Sequence, residues 1–389
     1  MTKKIFYGKQ FIDKEDILSV NKSLTNNLLS GGKIISKFEN KLKFFFNSKY
    51  TLACSSGTAG LHLAMISINL KKNDIVLMPA INFIASYNIA KMLGARIYLV
   101  DVDNYTGQMT PELLNRCIKE NKIKKIKAII NMYNGGNAKN IKYFFNIKKK
   151  YNCVLIEDAC HALGSKYKIK NKTFNIGSCK HSDLAVFSFH PVKSITTGEG
   201  GMVSTNNKKI FKKLKLIRSH GIERKNNYYW KYNIRNVGLN YRLSDINCAL
   251  GISQLKKIKK FINKRRNLAL NYISLLSKFK DFMRCPEKKD IINSSCHLFI
   301  ISINFKKLKS TKDKFINFMN KHNIYPQFHY IPIFKFDVHK NLQVKSFKNS
   351  LIYYKNCISL PIYYDLSLKD QKFIISNIKK FINYEKQKN

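Results

Sequence analysis

The sequence predicts an α/β protein that consists of a large domain and a smaller C-terminal α+β domain. Up to about residue 250, short apolar runs alternate with segments whose apolar residues recur at helical spacing. Such alternation is typical of a mostly parallel sheet that is covered by helices on both faces. After that point lysine-rich helical segments predominate. We therefore predict a large domain over residues 1–250 and a small one over residues 251–389.

The elements of the large domain follow in order along the chain. Apolar spacing predicts helices over residues 12–24 and 33–46, with the loop TNNLLSGG between them. A strand, a turn of small residues and a helix follow within YTLACSSGTAGLHLAMISINL, and another helix begins near Ser86. Further strands are predicted at DIVLMPA, RIYLVDVD, IKAIINMY, CVLIED and LAVFSF.

The smaller domain is predicted from three segments. A long helix covers residues 253–276, HLFIISINF forms a strand, and a final helix follows. No Pro/Ser-rich linker separates the two parts, so we expect them to pack as one unit.

The formal net charge of +48 would ordinarily indicate binding to nucleic acid or to an anionic membrane. We discount that interpretation because Lys, Asn and Ile are abundant along the whole chain while Gly, Pro and Trp are scarce, as the codon bias of an AT-rich genome would produce. The lysines are spread out, and no compact arginine-rich patch is present. Nucleic-acid binding is kept only as a weak alternative, and anionic substrates are compatible with the charge.

The nine cysteines include no C-x-x-C pair. They are therefore expected to be small buried hydrophobic residues in a reducing compartment. The first residues lack the apolar stretch of a secretory signal, and no run of about 18 apolar residues predicts a transmembrane helix. We therefore expect a cytoplasmic protein without a membrane partner.

Three predicted strand ends carry residues suited to a ligand, which in doubly wound folds binds at the carboxyl ends of strands. In CSSGTAG, residues 54–60, backbone N–H groups and hydroxyls at a helix N-terminus suit a phosphate, although such clusters often only cap a helix. Glu157 and Asp158 end a buried strand, where a carboxylate needs a partner; a helix cap is the alternative. The third strand, LAVFSF, leads to His190, Lys193 and the turn TTGEGG.

A phosphate site, a carboxylate and a lysine together match the needs of pyridoxal phosphate (PLP). An acidic residue such as Asp158 keeps the pyridine nitrogen protonated, so that the ring can accept electrons. A partly desolvated lysine such as Lys193 is nucleophilic enough to react with the aldehyde. Phe83, which follows another strand, is expected to cover the ring face.

The segments EDACHALGS, SDLAVFSFHPVKSITTGEGGMV, RSHGI, VGLNYRLSDINCALGISQL and FHYIPIF, in this order and spacing, resemble the motif set of the DegT/DnrJ/EryC1/StrS sugar aminotransferases. The resemblance extends from YGKQFIDKEDI to ISLPIY. It implies fold type I of the PLP-dependent transferases and a homodimer with shared active sites. Within the family, YGKQ, CHALGS and HYIPIF are most similar to the branch that serves pseudaminic acid biosynthesis.

The resemblance also implies a role for each matching residue. Lys193 would bind the aldehyde of the cofactor covalently, and Asp158 would hold the pyridinium. The other cofactor contacts would be Gly57, Thr58 and Ser188 at the phosphate, Phe83 and His161 at the ring, and Asn240 of the neighbouring subunit at the phosphate. The nucleotide sugar would contact Tyr7, Asn27, Leu28, Leu29, Ser30, Gln327, Phe328, His329 and Tyr330. No metal is expected.

Two segments depart from the family pattern. Leu29, Ser30 and Gly31 stand where a threonine-glutamine pattern is usual, which is compatible with drift or with a changed sugar. Asn137 stands where a proline or serine is common, and Lys139 lies just before the expected acidic position.

The activity implied by the resemblance is transfer of an amino group from L-glutamate to C4 of a UDP-linked 4-keto-6-deoxy sugar, UDP-2-acetamido-2,6-dideoxy-β-L-arabino-hex-4-ulose. Another nucleotide-linked 3- or 4-keto sugar is the first alternative. A related branch carries histidine in place of the lysine and dehydrates its sugar, so Lys193 favours transamination. A non-catalytic PLP-fold sensor or an anion-binding protein is the other alternative, but such a protein would be expected to have lost Asp158, Lys193 or Asn240.

Overall fold

The computed structural model describes residues 3–224, 228, 230–337 and 347–388. The strands in chain order are β1 Ile5–Phe6, β2 Tyr50–Cys54, β3 Ile75–Pro79, β4 Arg96–Val100, β5 Ala128–Met132, β6 Val154–Asp158, β7 Lys166–Ile169, β8 Lys172–Asn175, β9 Leu184–Ser188, β10 Gly201–Thr205, β11 Ile222–Arg224, β12 Tyr232–Ile234, β13 Met283–Arg284, β14 Phe299–Ile303, β15 Ile324–Tyr325 and β16 Cys357–Leu360. The α-helices are α1 Lys14–Leu24, α2 Lys33–Phe46, α3 Gly57–Ser67, α4 Ala85–Met92, α5 Pro111–Glu120, α6 Ile141–Tyr151, α7 Lys208–Arg218, α8 Asp245–Lys256, α9 Ile258–Leu276, α10 Lys288–Ile291, α11 Lys312–Lys321, α12 Lys348–Asn356 and α13 Leu368–Gln387.

A seven-stranded sheet forms the centre of the large domain, in the order β2-β10-β9-β6-β5-β3-β4. The pairs from β9 to β4 are parallel, whereas β10 runs antiparallel to both β2 and β9. The strands other than β10 therefore all end at the same edge of the sheet. This edge is where a mostly parallel α/β sheet places its ligands.

Helices cover both faces of this sheet because the buried residues of each strand alternate between two apolar clusters. In β6, Leu155 packs with α5 and α6, while Ile156 packs with α3 and α4 on the opposite face. Asp158 lies two residues after Ile156 and so shares its face, whereas Glu157 shares the face of Leu155. The alternation thus sends the two carboxylates of this strand end in opposite directions.

A three-stranded antiparallel sheet, β13-β14-β16, forms the centre of the C-terminal α+β region. It packs with α9, α11 and α13 around a separate apolar cluster that includes Phe299, Phe315 and Phe381. The predicted parallel sheet, the C-terminal α+β region and the strands named in the sequence analysis are present. The boundary at residue 250 stays a prediction.

Two features differ from the predicted elements. The segment Gly201–Thr205 is a strand inside the sheet that was not predicted, because its sequence GMVST contains one glycine and two hydroxyl residues and so forms only a weak apolar run. The long helix predicted over residues 253–276 is divided at Lys257 between α8 and α9.

The nine cysteines are all free, and seven of them are buried. Within the described ranges, no helix has both the length and the apolar character that a membrane crossing requires.

Candidate active site

A cavity of about 590 Å³ lies at the edge of the sheet where the parallel strands end. Met132, Asp158 and Ser188 are the last residues of β5, β6 and β9. The cavity is lined by these three residues together with Tyr7, Ser56, Gly57, Thr58, Leu61, Phe83, Ala85, Cys160, His161, His190, Val192, Lys193, Glu199, His297, His329 and Tyr330.

The N-terminus of α3 forms one wall of the cavity. Ser56 caps this helix by accepting a hydrogen bond from the Ala59 N–H at 3.0 Å. The N–H groups of Gly57 and Thr58 belong to the first turn, which has no intrahelical acceptors. A Cβ atom on Gly57 would lie 2.9 Å from Cβ of Ser188. Glycine at position 57 therefore lets the start of α3 pack closely against the end of β9, and the free N–H groups of this turn suit an anion.

Asp158 is a buried carboxylate that faces the cavity. The hydroxyl of Ser86 donates to its Oδ2 at 3.2 Å, and the Cys160 N–H donates to its Oδ1 at 3.3 Å. On the opposite face of the sheet, Glu157 accepts a hydrogen bond from Tyr133 at 2.8 Å. Burial raises the pKa of Glu157 to about 7, so the two adjacent carboxyls occupy very different environments.

Lys193 lies in the turn that follows β9, and its backbone N–H donates to the carbonyl of His190 at 2.9 Å. Burial lowers the pKa of its ammonium group, while Cys160 and Asp158 act in the opposite direction. A lowered pKa increases the fraction of neutral amine, which is the nucleophilic form. Lys193 therefore differs from the solvated lysines of the chain in both place and chemistry.

Aromatic and histidine side chains form the wall opposite the strand ends. The ring of Phe83 is about half exposed and lies 5.7 Å from the ring of Tyr330. His161 uses both ring nitrogens within the protein: Nδ1 accepts from the Gly135 N–H at 3.4 Å, and Nε2 lies 2.9 Å from the Tyr330 hydroxyl. Only the face of the His161 imidazole remains for a ligand, so its role as a cofactor contact stays a prediction.

Two further histidines surround His161. The ring of His297 lies 4.4 Å from that of His161, and Nδ1 of His329 lies 2.9 Å from the Ser359 hydroxyl. Burial is the main cause that lowers the pKa of all three imidazoles, that of His329 to about 3. Within the described residues, no group of histidines, cysteines and carboxylates is arranged to hold a metal ion.

The structure brings most of the predicted site residues to this cavity. Those that line it are Tyr7, Gly57, Thr58, Phe83, Asp158, His161, Ser188, Lys193, His329 and Tyr330. Those that do not line the cavity of their own chain are Asn27, Leu28, Leu29, Ser30, Asn240, Gln327 and Phe328. The roles assigned to both groups stay predictions.

The predicted residues outside the cavity fall into two places. Gln327 is exposed and pairs with Ser359 through the backbone, and the ring of Phe328 packs against Tyr354. The loop of residues 27–30 and Asn240 are exposed. This loop is joined to the segment after Asn240, because Ser30 forms a β-bridge with Ser244.

Sequence reasoning did not single out three polar residues of the cavity wall: His297, Cys160 and Glu199. Cys160 lies in the segment EDACHALGS with Asp158, and Glu199 lies in the segment SDLAVFSFHPVKSITTGEGGMV with Lys193. Their closeness in sequence to these two residues could have indicated that they line the same cavity. His297 precedes a strand of the smaller domain and reaches the cavity only through the packing of that domain. No local pattern could have indicated it.

The residues at the cavity fit the predicted cofactor. The free N–H groups of an N-terminal helical turn suit a phosphate, a buried carboxylate suits a protonated pyridine nitrogen, and a desolvated lysine suits an aldehyde. The three groups follow the ends of β2, β6 and β9, which lie at the same edge of the sheet.

Comparison with known proteins agrees with this geometry. Residues 10–379 match the DegT/DnrJ/EryC1/StrS aminotransferase family. A relative from Campylobacter jejuni, named UDP-4-amino-4,6-dideoxy-N-acetyl-beta-L-altrosamine transaminase, is 38% identical over 371 residues, which are 95% of each chain.

Solved structures agree as well. Helicobacter pylori PseC, an aminotransferase involved in the biosynthesis of pseudoaminic acid, has a TM-score of 0.89 at 29% identity and covers 98% of this chain and 100% of its own. The PLP form of a Streptococcus pneumoniae sugar aminotransferase has a TM-score of 0.87 at 24% identity, with 98% and 100% covered. These matches confirm the predicted fold class. The chain belongs to the DegT/DnrJ/EryC1/StrS aminotransferase family.

Proposed function

We propose that this chain is a PLP-dependent transaminase that moves an amino group from L-glutamate to C4 of UDP-2-acetamido-2,6-dideoxy-β-L-arabino-hex-4-ulose. The product is a UDP-4-amino sugar for pseudaminic acid or surface glycan biosynthesis. The observation that carries the proposal is the meeting of Lys193, Asp158 and the α3 N-terminus in one cavity. The choice of sugar rests on the named relatives from Campylobacter jejuni and Helicobacter pylori.

The cavity residues would divide the task of holding the cofactor. When bound, PLP supplies an aldehyde that exchanges amines and a protonated ring that accepts electrons. Asp158 would keep the proton on the ring nitrogen. Hydrogen bonds from the Ser86 hydroxyl and the Cys160 N–H hold the Asp158 carboxylate in place for this role. Gly57 and Ser188 belong to the wall that would take the phosphate.

Lys193 would act as the general base and acid. With L-glutamate bound at the cofactor, its neutral Nζ would remove the proton from the α-carbon of the donor. In the second half of the reaction the same group delivers a proton to C4 of the sugar. The lowered pKa of Lys193 supports this role, because a fully protonated amine could not accept a proton.

A homodimer with shared sites is the third part of the proposal. Asn240 and the loop of residues 27–30 are exposed in their own chain and lie on connected segments. Leu28, Leu29 and Val237 add exposed apolar surface to the same region. Such a surface suits burial against a second copy, whose cavity would then receive Asn240. The cytoplasmic location stays a prediction.

The test is an amination assay with L-glutamate and two sugars, the L-arabino isomer named above and its D-xylo counterpart. We expect a 4-amino product from the L-arabino isomer, detected by mass spectrometry. Activity with the D-xylo isomer alone would contradict the choice of substrate and favour another nucleotide-linked keto sugar. Lys193→Ala should abolish turnover and the visible absorption of the bound cofactor, and normal turnover in this variant would overturn the transaminase proposal itself.

A further inference from the structure

Tyr330 is the last member of a series of two hydrogen bonds that begins at a backbone N–H group behind the cavity wall. The Gly135 N–H donates to Nδ1 of His161, and Nε2 of His161 lies 2.9 Å from the Tyr330 hydroxyl. His161 and Tyr330 line the cavity that also contains Lys193. These two hydrogen bonds therefore connect a fixed backbone donor with the cavity in which the reaction would take place.

The chemistry of the imidazole determines which group donates in each of these two hydrogen bonds. A backbone N–H can only donate, so Nδ1 of His161 is unprotonated and the single proton of the neutral ring is on Nε2. Nε2–H then donates to the oxygen of Tyr330. Burial lowers the pKa of His161, and the charge of Lys193 and the neighbouring His329 act in the same direction. The ring therefore stays neutral, and the hydrogen bond from Gly135 fixes its tautomer.

The hydroxyl hydrogen of Tyr330 is free for a ligand. Its oxygen accepts from His161, so its O–H must point away from that ring. In the part of the chain that the structure describes, His161 is the hydrogen-bond partner found for this hydroxyl, and it donates to the oxygen. Burial raises the pKa of the phenol well above its ordinary value, so the hydrogen stays in place.

Resting on the proposed transamination, we propose that Tyr330 is a catalytic hydrogen-bond donor to the carbonyl oxygen of the keto substrate, and that His161 and Gly135 are the positioning residues that orient it. When an amine nitrogen adds to the ketone carbon, the π electron pair moves to this oxygen. The oxygen then leaves as water with the two hydrogens that the nitrogen gives up. A preoriented donor stabilises the charge that collects on the oxygen.

The same donor serves both halves of the reaction. In the glutamate half the steps run in reverse: a water oxygen adds to the carbon and becomes the ketone oxygen of 2-oxoglutarate. Loss of Tyr330 should therefore slow both halves. A residue that only binds the nucleotide sugar would affect the sugar half alone, and chiefly through KM.

The experiment measures the two half-reactions of the holoenzyme separately, by the change in cofactor absorbance with L-glutamate and with the keto sugar. Tyr330→Phe should lower the maximal rate of each half by a similar factor, about 100-fold. The pH profile should keep its shape, because the phenol does not titrate in the working range. A loss confined to the sugar half, or a rise in KM alone, would overturn the proposal.

Variants of His161 test the positioning role. His161→Gln keeps an N–H donor near the place of Nε2 and should retain most of the rate, whereas His161→Leu should fall to the level of Tyr330→Phe. Equal losses in the two His161 variants would contradict the positioning role. Tyr133→Phe is the matched control, because it removes a buried tyrosine hydroxyl outside the cavity and should leave both rates unchanged.

The glutamate half also separates this proposal from the choice of sugar. If the wild-type chain converts its cofactor with L-glutamate but aminates no UDP-linked keto sugar, the proposed substrate is wrong. The glutamate half-reaction of Tyr330→Phe still decides the role of Tyr330 in that case: an unchanged rate overturns it, and a loss of about 100-fold supports it.

Discussion

Asp158 and Glu157 are adjacent in sequence and both buried, but they face opposite sides of the sheet and have different partners. Asp158 faces the cavity and accepts two hydrogen bonds there. Glu157 lies on the other face of β6, with Tyr133 as its partner and a pKa raised by burial to about 7. Only Asp158 can serve a pyridine nitrogen in the cavity.

This contrast gives a matched pair of variants. Asp158→Asn should lower kcat by about 100-fold or more, because an amide cannot stabilise the charge of a protonated ring. Glu157→Gln should leave kcat unchanged, because near pH 6.5 the glutamate carboxyl is largely protonated and the amide matches its shape. Steady-state assays at pH 6.5 with saturating cofactor provide the measurement. Similar losses in both variants would show that burial of the strand end, and not the charge at Asp158, is what the activity requires.

The sequence allowed part of this site to be predicted. Lys193 and Asp158 could be located because each follows a short apolar run that ends at the same edge of the sheet. The sequence offered no indication that Gly135 and His297 would flank His161, since these contacts depend on how a loop after β5 and a strand of the smaller domain pack against the cavity. The environment of a residue was predictable where it depended on its own strand, and unpredictable where it depended on distant ones.

Helix α3 serves both the cavity and the core, through two glycines one turn apart. A Cβ at Gly57 would lie 2.9 Å from Cβ of Ser188, at the cavity wall. A Cβ at Gly60 would lie 2.8 Å from Cγ1 of Val186, inside the apolar cluster. The same added methyl group should therefore have different consequences at the two positions.

Gly57→Ala should weaken cofactor binding by at least about tenfold, because the helix start would have to move away from the phosphate position. Gly60→Ala should instead destabilise the protein by about 1–3 kcal/mol through overpacking, and bind the cofactor normally once folded. Cofactor titration and urea unfolding of both variants distinguish the two effects. The interpretation fails if Gly60→Ala loses cofactor affinity as strongly as Gly57→Ala does.

The strands of the sheet were easier to predict than their arrangement. Each parallel strand is a compact apolar run followed by a polar turn, and the pattern indicates it directly. Strand β10 has the same burial but runs antiparallel between β2 and β9. Its direction depends on the turn after Lys193 reversing the chain, which apolar periodicity does not report.

Shared sites make the assembly itself testable. Lys193→Ala chains are mixed with Asn240→Asp chains. Each should be nearly inactive alone, the first because it lacks the reactive amine and the second because the added carboxylate would repel the phosphate. If Asn240 completes the cavity of the neighbouring chain, a mixed dimer contains one site with both wild-type residues. Random mixing should then restore about a quarter of the wild-type activity. No gain over the separate variants, with mixed dimers confirmed by native mass spectrometry, would contradict the shared site.

The buried histidines should make the stability of the whole molecule sensitive to acid. His161, His297 and His329 have pKa values lowered by burial, so the folded chain leaves them neutral below pH 6.5 while the unfolded chain protonates them. Glu157 acts in the opposite direction: its pKa of about 7 means that the folded chain holds one extra proton between about pH 4.5 and 7. On balance the unfolded chain binds about two more protons from these four groups near pH 5.5.

The free energy of unfolding should therefore decrease by about 3 kcal/mol per pH unit as the pH falls from 6 to 5, since each proton contributes about 1.4 kcal/mol per unit. His297→Gln removes one titrating histidine and should reduce this slope by about 1.4 kcal/mol per unit. Glu157→Gln removes the opposing group and should increase the slope by a similar amount. Urea unfolding at pH 7, 6 and 5 measures all three slopes. If the two variants changed the slope in the same direction, proton uptake by these residues could not be the cause of the acid sensitivity.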